Sequence, residues 1–153
     1  MPLTLRPATA ADLGFLRALV PRLRGFGPSM LRPAAAMDDA EQQAFAQAVT
    51  HPGPGHAVLV AELDGHPAGA ALFEEKTDYF TGEAHGHLGI IIVGDGAEGQ
   101  GVGKALLDAC EDWARARGHR FVTLNVFDRN ARARRFYERS GWHPDAVKYV
   151  KEL

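Results

Sequence analysis

The chain has 153 residues, of which 46% are hydrophobic and 24% are charged, as is typical of a globular protein that folds as one domain. Its formal net charge of −2 argues against general nucleic-acid binding, because nucleic-acid-binding domains usually carry a basic face. The single cysteine, Cys110, excludes an internal disulfide and is compatible with a reducing compartment. We therefore expect one cytoplasmic domain spanning residues 1–153.

The first residues predict a short strand followed by a helix. Leu3 to Arg6 alternates in polarity, as a strand does. Thr9 and Asp12 then form a variant capping box. The apolar residues after it have helical spacing, and they are Leu13, Leu16, Val20 and Leu23. Pro21 is expected to kink or shorten this helix.

No stretch of the sequence predicts export or a membrane anchor. The residues from Met1 to Arg6 lack the apolar core of a signal peptide. No apolar run reaches the length of about 18 residues that a membrane-spanning helix needs. We therefore expect no membrane association.

The middle of the chain predicts a second helix and a hairpin. Asp38 or Asp39 is expected to cap the helix, which ends near His51. Asp64-Gly65 is a strong hairpin turn signal between two apolar runs. The strands predicted in this region span residues 57–63, 68–73 and 84–93.

A glycine-rich stretch follows the strand that ends at Val93. It contains five glycines between Gly94 and Gly103, and an amphipathic helix begins directly behind it. Glycines let a backbone approach a ligand closely, and the N–H groups of a helix's first turn have no intrahelical partner. Lys104 favours an anion at this position, because a cation near a helix N-terminus otherwise opposes the helix dipole. The stretch could also be an ordinary surface turn.

The last third predicts three more elements. Residues 121–126 are expected to form a strand, and Asp128 or Asn130 caps a helix that ends at Gly141. Residues 147–150 predict a final strand. The expected fold is therefore α/β, with a mixed sheet flanked by about four helices in the order β-α-α-β-β-β-α-β-α-β.

Three types of phosphate-binding loop could account for the glycines. A Walker-type loop is excluded, because Glu98 and Ala105 stand where it needs glycine and Ser or Thr. Gly94, Gly96 and Gly99 match the dinucleotide fingerprint G-x-G-x-x-G, although the fingerprint usually lies near the first strand of its fold. The third is a tight turn over Gly99 to Gly103 that runs straight into the helix.

Two motifs support the third type. Glu98-Gly99-Gln100-Gly101-Val102-Gly103 resembles the phosphate motif Gln/Arg-x-x-Gly-x-Gly/Ala of the GNAT-type, acetyl-CoA-dependent N-acetyltransferases. The segment from Leu124 to Trp142 resembles the family's second motif. Glu98 departs from the usual glutamine or arginine and puts a carboxylate beside the expected diphosphate.

The resemblance implies acetyl-CoA as co-substrate and an amine as acceptor. It implies that the strand ending at Ile91, Ile92 and Val93 splays from its neighbour, so that its free backbone groups bind the pantetheine arm. A backbone N–H near Ile92 or Val93 would polarise the thioester. The turn amides would hold the diphosphate, and the residues concerned are Gly99, Gln100, Gly101, Val102, Gly103 and Lys104.

The second motif supplies two further site residues. Tyr137 aligns with the family's tyrosine that protonates the departing thiolate, and a reference pKa of about 10 keeps a phenol protonated at neutral pH. Its alternative role is that of a core aromatic. Asn130 is either a helix cap or, as the resemblance implies, also a coenzyme contact.

His87 is the candidate general base. Several family members carry a glutamate six residues before the strand's terminal valine, and His87 occupies that position. His85 and His87 alternate along the strand, so both should face the same side as Ile91 and Val93. A histidine can accept a proton from an ammonium group, although such a residue can also be an ordinary polar side chain on a half-exposed strand. A His-x-His metal site is not expected, because no third ligand is apparent.

The acceptor is expected to be a primary amine of a small molecule, a peptide or a protein. The resemblance implies that the acceptor site is bordered by the loop over residues 25–31, by Tyr79 and Phe80, and by Tyr149. Phe26 and Met30 would add apolar walls. Dimers are frequent in the family, so a homodimer is a possible assembly, but the sequence identifies no interface.

Two alternatives remain open at the level of sequence. A non-catalytic acyl-CoA-binding module would retain the fold and the coenzyme turn without turnover. A nucleotide-binding oxidoreductase would use the fingerprint that begins at Gly94.

Overall fold

The structure is a computed structural model that describes residues 2–29 and 31–153. Within these residues, five strands form one sheet in the order in which they occur along the chain. They are β1 (Leu3–Pro7), β2 (His56–Leu63), β3 (His66–Thr77), β4 (Ala84–Val93) and β5 (Val122–Leu124). The first four strands pair antiparallel, whereas β5 pairs parallel to β4. The predicted mixed sheet is therefore confirmed.

The helices cover both faces of this sheet. They are α1 (Leu13–Leu19), α2 (Ala34–Thr50), α3 (Val102–Ala116) and α4 (Ala131–Arg139). One buried cluster joins α1 and α2 to the sheet, with Leu16 and Phe45 packed against Ile90 and Ile92. A second cluster joins α3 to the opposite face, and the side chains of α4 pack against it.

The first helical segment ends where its proline predicted a change. After α1, residues Val20–Arg24 continue as a 3-10 helix with Pro21 in its first turn. The capping interaction is also present, because the Thr9 N–H donates to the Asp12 carboxylate at 2.7 Å. The second helix starts at Ala34, earlier than the predicted cap at Asp38 or Asp39. Asp38 instead pairs with Arg24.

The dinucleotide fingerprint is contradicted by this topology. A dinucleotide fold is a mostly parallel sheet whose glycine motif follows its first strand. Among the described strands, β4 and β5 alone pair parallel, the glycines follow the fourth strand, and α3 begins only at Val102, after Gly99. The alternative of a nucleotide-binding oxidoreductase is therefore wrong.

The predicted final strand is also wrong. Residues 142–153 have no regular secondary structure. The side chains of Val147 and Tyr149 are 71% and 89% exposed. A strand forms only where its N–H and C=O groups meet a partner strand, and these residues lie against none in the described chain. Alternation of apolar residues alone did not reveal this.

None of the helices in the described part of the chain is long and apolar enough to cross a membrane.

Candidate active site

Beyond Leu88, β4 loses its pairing with β5, because the two strands pair over only three positions. The pairs are Gly86 with Val122, His87 with Thr123 and Leu88 with Leu124. From Gly89 to Val93, β4 has a partner on its β3 side alone. We call the space beside this unpaired edge of β4 the cleft. The edge of β4 that faces the cleft therefore carries backbone groups that no strand pairs with, and an extended ligand can bind such groups.

The register of β4 decides which backbone groups face the cleft. The Gly94 N–H donates to the Ala68 oxygen of β3 at 2.7 Å. Because N–H groups alternate in direction along a strand, those of Ile91 and Val93 point away from β3. The N–H of Ile92 points towards β3 instead. Of the two candidates to polarise a thioester, Val93 thus has the suitable orientation.

A β-bulge divides β4 into two halves with opposite side-chain phase. Leu72 pairs with Ile90 and Phe73 pairs with Leu88, so Gly89 has no partner in the register. Leu88 and Ile91 therefore pack on the same face of the sheet, with α3. His87 faces the opposite side, which is the side of Ile90 and Ile92. The prediction that His85 and His87 share a side with Ile91 and Val93 is wrong, because simple alternation does not pass through a bulge.

His87 is held at the start of the cleft by its partner on β5. Its Nδ1 lies 2.8 Å from the Thr123 hydroxyl. Burial lowers the pKa of His87 from its usual value, and the negative charge of Glu74 opposes this shift. The imidazole is therefore neutral at neutral pH. In the tautomer whose Nδ1–H donates to the Thr123 hydroxyl, Nε2 is the nitrogen that can accept a proton.

Glu74 is a carboxylate that the sequence did not single out. It pairs directly with His87 across β3 and β4, so the two side chains share a face. A side chain at Gly89 would collide with the Glu74 carboxylate, which shows that this carboxylate lies over the bulge. The face of the sheet on which His87 lies thus also carries a carboxylate, which has Lys76 3.7 Å away.

His85 is in a different environment. It is buried and stacks on Phe121 with ring centroids 4.7 Å apart. Its Nδ1 has no hydrogen-bond partner among the described residues. No group of three or more His, Cys, Asp or Glu side chains in the described ranges could hold a metal ion.

The glycine turn leads into α3 with its backbone exposed. Gly99 and Gly101 have φ values of +74° and +85°, in the left-handed region that favours glycine. Gly101 is the N-cap residue of α3, so the N–H groups that follow it lack intrahelical partners. A diphosphate fits such a helix opening. Lys104, expected to meet the same anion, pairs with Asp108 one turn further along.

Glu98 lies at this turn and pairs with a residue that the sequence did not indicate. Its carboxylate accepts from the guanidinium of Arg22, in the 3-10 segment after α1. The Arg22 Nε also donates to the Val93 oxygen at 2.7 Å. No sequence signal links residues 22 and 98, which are 76 positions apart.

Helix α4 places Phe136 beside the same turn. A Cβ atom added at Gly103 would lie 3.5 Å from both the Phe136 ring and the Val93 side chain. The opening of α3, the end of β4 and α4 therefore meet at one point. Asn130 caps α4, and its side-chain oxygen accepts from the Ala133 N–H at 3.3 Å.

Tyr137 is half-buried between aromatic neighbours. Its ring centroid is 5.4 Å from that of Phe136 and 6.3 Å from that of Trp142. Burial raises the pKa of Tyr137 to about 12. The phenol is therefore protonated throughout the range in which enzymes are usually assayed.

The expected borders of the acceptor site are only partly brought together. Phe26 stacks on Phe127 after β5, with ring centroids 5.4 Å apart. It also lines a cavity of about 460 Å³ beside the loop that precedes α2. Tyr79, Phe80 and Tyr149 do not line this cavity, and their side chains are largely exposed. Met30 lies outside the described residues.

Comparison with known proteins identifies acetyltransferases as relatives of this chain. The sequence model of the acetyltransferase (GNAT) family matches residues 24–142. A mycothiol acetyltransferase of Beutenbergia cavernae is 44% identical over 78 residues, which are 51% of this chain. That match spans only 25% of the length of the relative.

Solved structures share the fold at low sequence identity. A GCN5-related N-acetyltransferase from Ralstonia eutropha superposes with a TM-score of 0.78 at 20% identity, covering 99% of each chain. An aminoglycoside N-acetyltransferase in complex with CoA gives a TM-score of 0.76 at 21% identity, covering 99% of this chain and 95% of that one. At such identities the likeness shows the fold alone.

Proposed function

Because this chain belongs to the acetyltransferase (GNAT) family, we propose that it transfers an acetyl group from acetyl-CoA to a primary amine by direct attack. The observation that carries the proposal is that the unpaired edge of β4 leads directly into the open first turn of α3. The protonated phenol of Tyr137, on the helix whose Phe136 lies beside Gly103 and Val93, supports it. The proteins that the chain resembles include a mycothiol acetyltransferase and an aminoglycoside N-acetyltransferase.

The residues of the cleft would divide the work between binding and proton transfer. Acetyl-CoA supplies the acyl thioester. The backbone of Ile91 and Val93 would hold the pantetheine arm, and the amides of Gly99 to Lys104 would hold the diphosphate. The Val93 N–H would polarise the thioester oxygen. Asn130 supports the site by fixing the start of α4.

Two side chains would move protons. His87 would take a proton from the acceptor ammonium, directly or through a water molecule, and so supply the neutral amine. Tyr137 would give its proton to the departing thiolate of coenzyme A. Glu74 would attract a cationic acceptor to the face on which His87 lies, because its carboxylate is adjacent to the bulge.

Thiol release over a panel of amines tests this function. We expect acetyl-CoA to be consumed with at least one member of a panel that contains a polyamine, an aminoglycoside, a peptide α-amine and a lysine peptide. Release should exceed the rate of acetyl-CoA hydrolysis without amine. If coenzyme A binds but no amine is acetylated, the non-catalytic acyl-CoA-binding module becomes the better account.

His87 should determine the low-pH side of the activity profile. A general base must be neutral to act, so activity rises with pH through its pKa. Because burial lowers the pKa of His87, this rise should lie below the range of an ordinary histidine. His87→Ala should remove the rise and lower kcat/KM for the amine about a hundredfold.

The pH profile of kcat/KM for His87→Ala and for a matched variant gives the measurement. His85→Ala is the matched variant, because His85 lies two residues away and is buried against Phe121. We expect it to retain the pH profile of the unsubstituted protein. An unchanged profile in His87→Ala would exclude His87 as the base.

Two coarser features belong to the same proposal. A homodimer is supported by exposed apolar side chains after α4, at Val147, Tyr149 and Val150. Light scattering of the purified chain measures the mass of the assembly.

A cytoplasmic location is supported by the unpaired thiol of Cys110, which is compatible with a reducing compartment.

A further inference from the structure

The turn proposed to bind the coenzyme diphosphate, residues 94–103, contains two acidic residues, whose negative charge disfavours an anionic ligand. Asp95 and Glu98 both lie between the end of β4 and the start of α3. Two interactions hold the pKa of the Glu98 carboxyl below its usual value. The larger is a hydrogen bond from the backbone N–H of Glu98 itself, and the smaller is the hydrogen bond from the Arg22 guanidinium. Glu98 is therefore a carboxylate at neutral pH. Like charges in close proximity repel, so an uncompensated carboxylate would oppose diphosphate binding.

The guanidinium of Arg22 contacts this turn at two points, the end of β4 and Glu98. Arg22 donates from Nε to the Val93 oxygen at 2.7 Å and from one terminal nitrogen to the Glu98 carboxylate. Asp95 lies 3.6 Å from the same guanidinium. Among the residues that the structure describes, no other cation pairs with either carboxylate. Arginine suits this role because its planar fork binds several acceptors at once.

We propose that Arg22 is a positioning residue of the coenzyme site, which neutralises Glu98 and fixes the turn against the end of β4. This inference rests on the proposed function, because it concerns the binding of the coenzyme diphosphate. It explains how a glutamate is tolerated where the family motif has a glutamine or an arginine. Arg22 acts through Glu98 and Val93. Substitutions of Arg22 and Glu98 should therefore have coupled effects on coenzyme affinity.

Calorimetric titration with coenzyme A tests the coupling without requiring turnover. Arg22→Gln should weaken binding about tenfold, as expected for the loss of one charge-assisted hydrogen bond. Glu98→Gln should bind as tightly as the unsubstituted protein or more tightly. The double variant Arg22→Gln/Glu98→Gln should recover most of the affinity, because no carboxylate then remains to be neutralised at position 98. Arg22→Lys should show an intermediate loss, since it keeps the charge without the fork.

The matched control is Arg17→Gln. Arg17 lies on α1, is exposed and forms no ion pair with the described residues, yet its loss changes the net charge equally. We expect it to bind coenzyme A normally. ADP, which has the diphosphate but no pantetheine arm, should lose affinity for Arg22→Gln by the same factor. Thermal unfolding of each variant separates a loss of binding from a loss of folding.

The outcomes distinguish failure of the proposed role of Arg22 from failure of the proposed acetyltransferase function. Normal binding by Arg22→Gln would overturn the role of Arg22 as a whole. A double variant as weak as Arg22→Gln alone would overturn the neutralisation of Glu98, and either result leaves the proposed function intact. If Arg22→Gln does not fold, an Arg22→Lys variant with unchanged affinity for both coenzyme A and ADP would overturn the role of Arg22 equally. Failure of the unsubstituted chain to bind coenzyme A would overturn the proposed function, and this inference with it.

Discussion

Replacing Tyr137 by phenylalanine is expected to lower kcat about a hundredfold, the typical contribution of a general acid. The KM for acetyl-CoA should change little, because the phenol would act on the departing thiolate and not on the bound ground state. Phenylalanine fills the same space beside Phe136 and Trp142, so folding should be preserved. Steady-state kinetics with saturating amine provide the measurement.

Tyr79→Phe is the matched control for this substitution. The Tyr79 side chain is 91% exposed at the tip of the loop between β3 and β4, and we expect its variant to keep full activity. The unsubstituted protein should show no fall in rate from loss of the Tyr137 proton below about pH 10, since burial raises the pKa of Tyr137 to about 12. Equal kcat values for Tyr137→Phe and the unsubstituted protein would assign Tyr137 a packing role only.

Gly101→Val should abolish most coenzyme binding. Gly101 has φ +85°, which a β-branched side chain adopts only at a cost of about 1–3 kcal/mol. The turn should therefore rearrange and carry the amides at the start of α3 away from the diphosphate position. Because displacement by about 1 Å can cost a hundredfold, kcat/KM for acetyl-CoA should fall about that much.

Gly118→Val imposes similar strain at a distance from the cleft. Gly118 has φ +75° just beyond the end of α3, and no atom lies within 4 Å of a Cβ placed there. Both variants should show a lower melting temperature, but only Gly101→Val should lose coenzyme affinity. An equal loss of affinity in both would show that the effect comes from stability and not from the turn.

The sequence predicted the elements whose patterns are local. The hairpin at Asp64-Gly65 and the apolar face of α3 follow from turn chemistry and helical spacing, and both are present. The two motifs likewise located the glycine turn before α3 and the helix α4. Within these limits a single sequence, combined with a family resemblance, was sufficient to place the candidate cleft.

The features that it missed depend on contacts between distant parts of the chain. The bulge at Gly89 reverses the face of His87, and it depends on the pairing of β3 with β4. The absence of a strand at residues 147–150 depends on whether a partner strand is adjacent. The pairing of Arg22 with Glu98 joins two segments that come together only when the sheet forms. Local periodicity carries no information on any of the three.

The buried thiol of Cys110 also makes the protein convenient for chemical labelling. Cys110 lies on the buried face of α3, and burial raises the pKa of Cys110 to about 12. Alkylating reagents attack the thiolate, so the native chain should remain unmodified while it stays folded. Reagents that detect free sulfhydryl groups would therefore measure released coenzyme A against almost no background. A cysteine introduced at Phe80, which is 88% exposed, would accept a fluorophore as the sole reactive position on the folded protein.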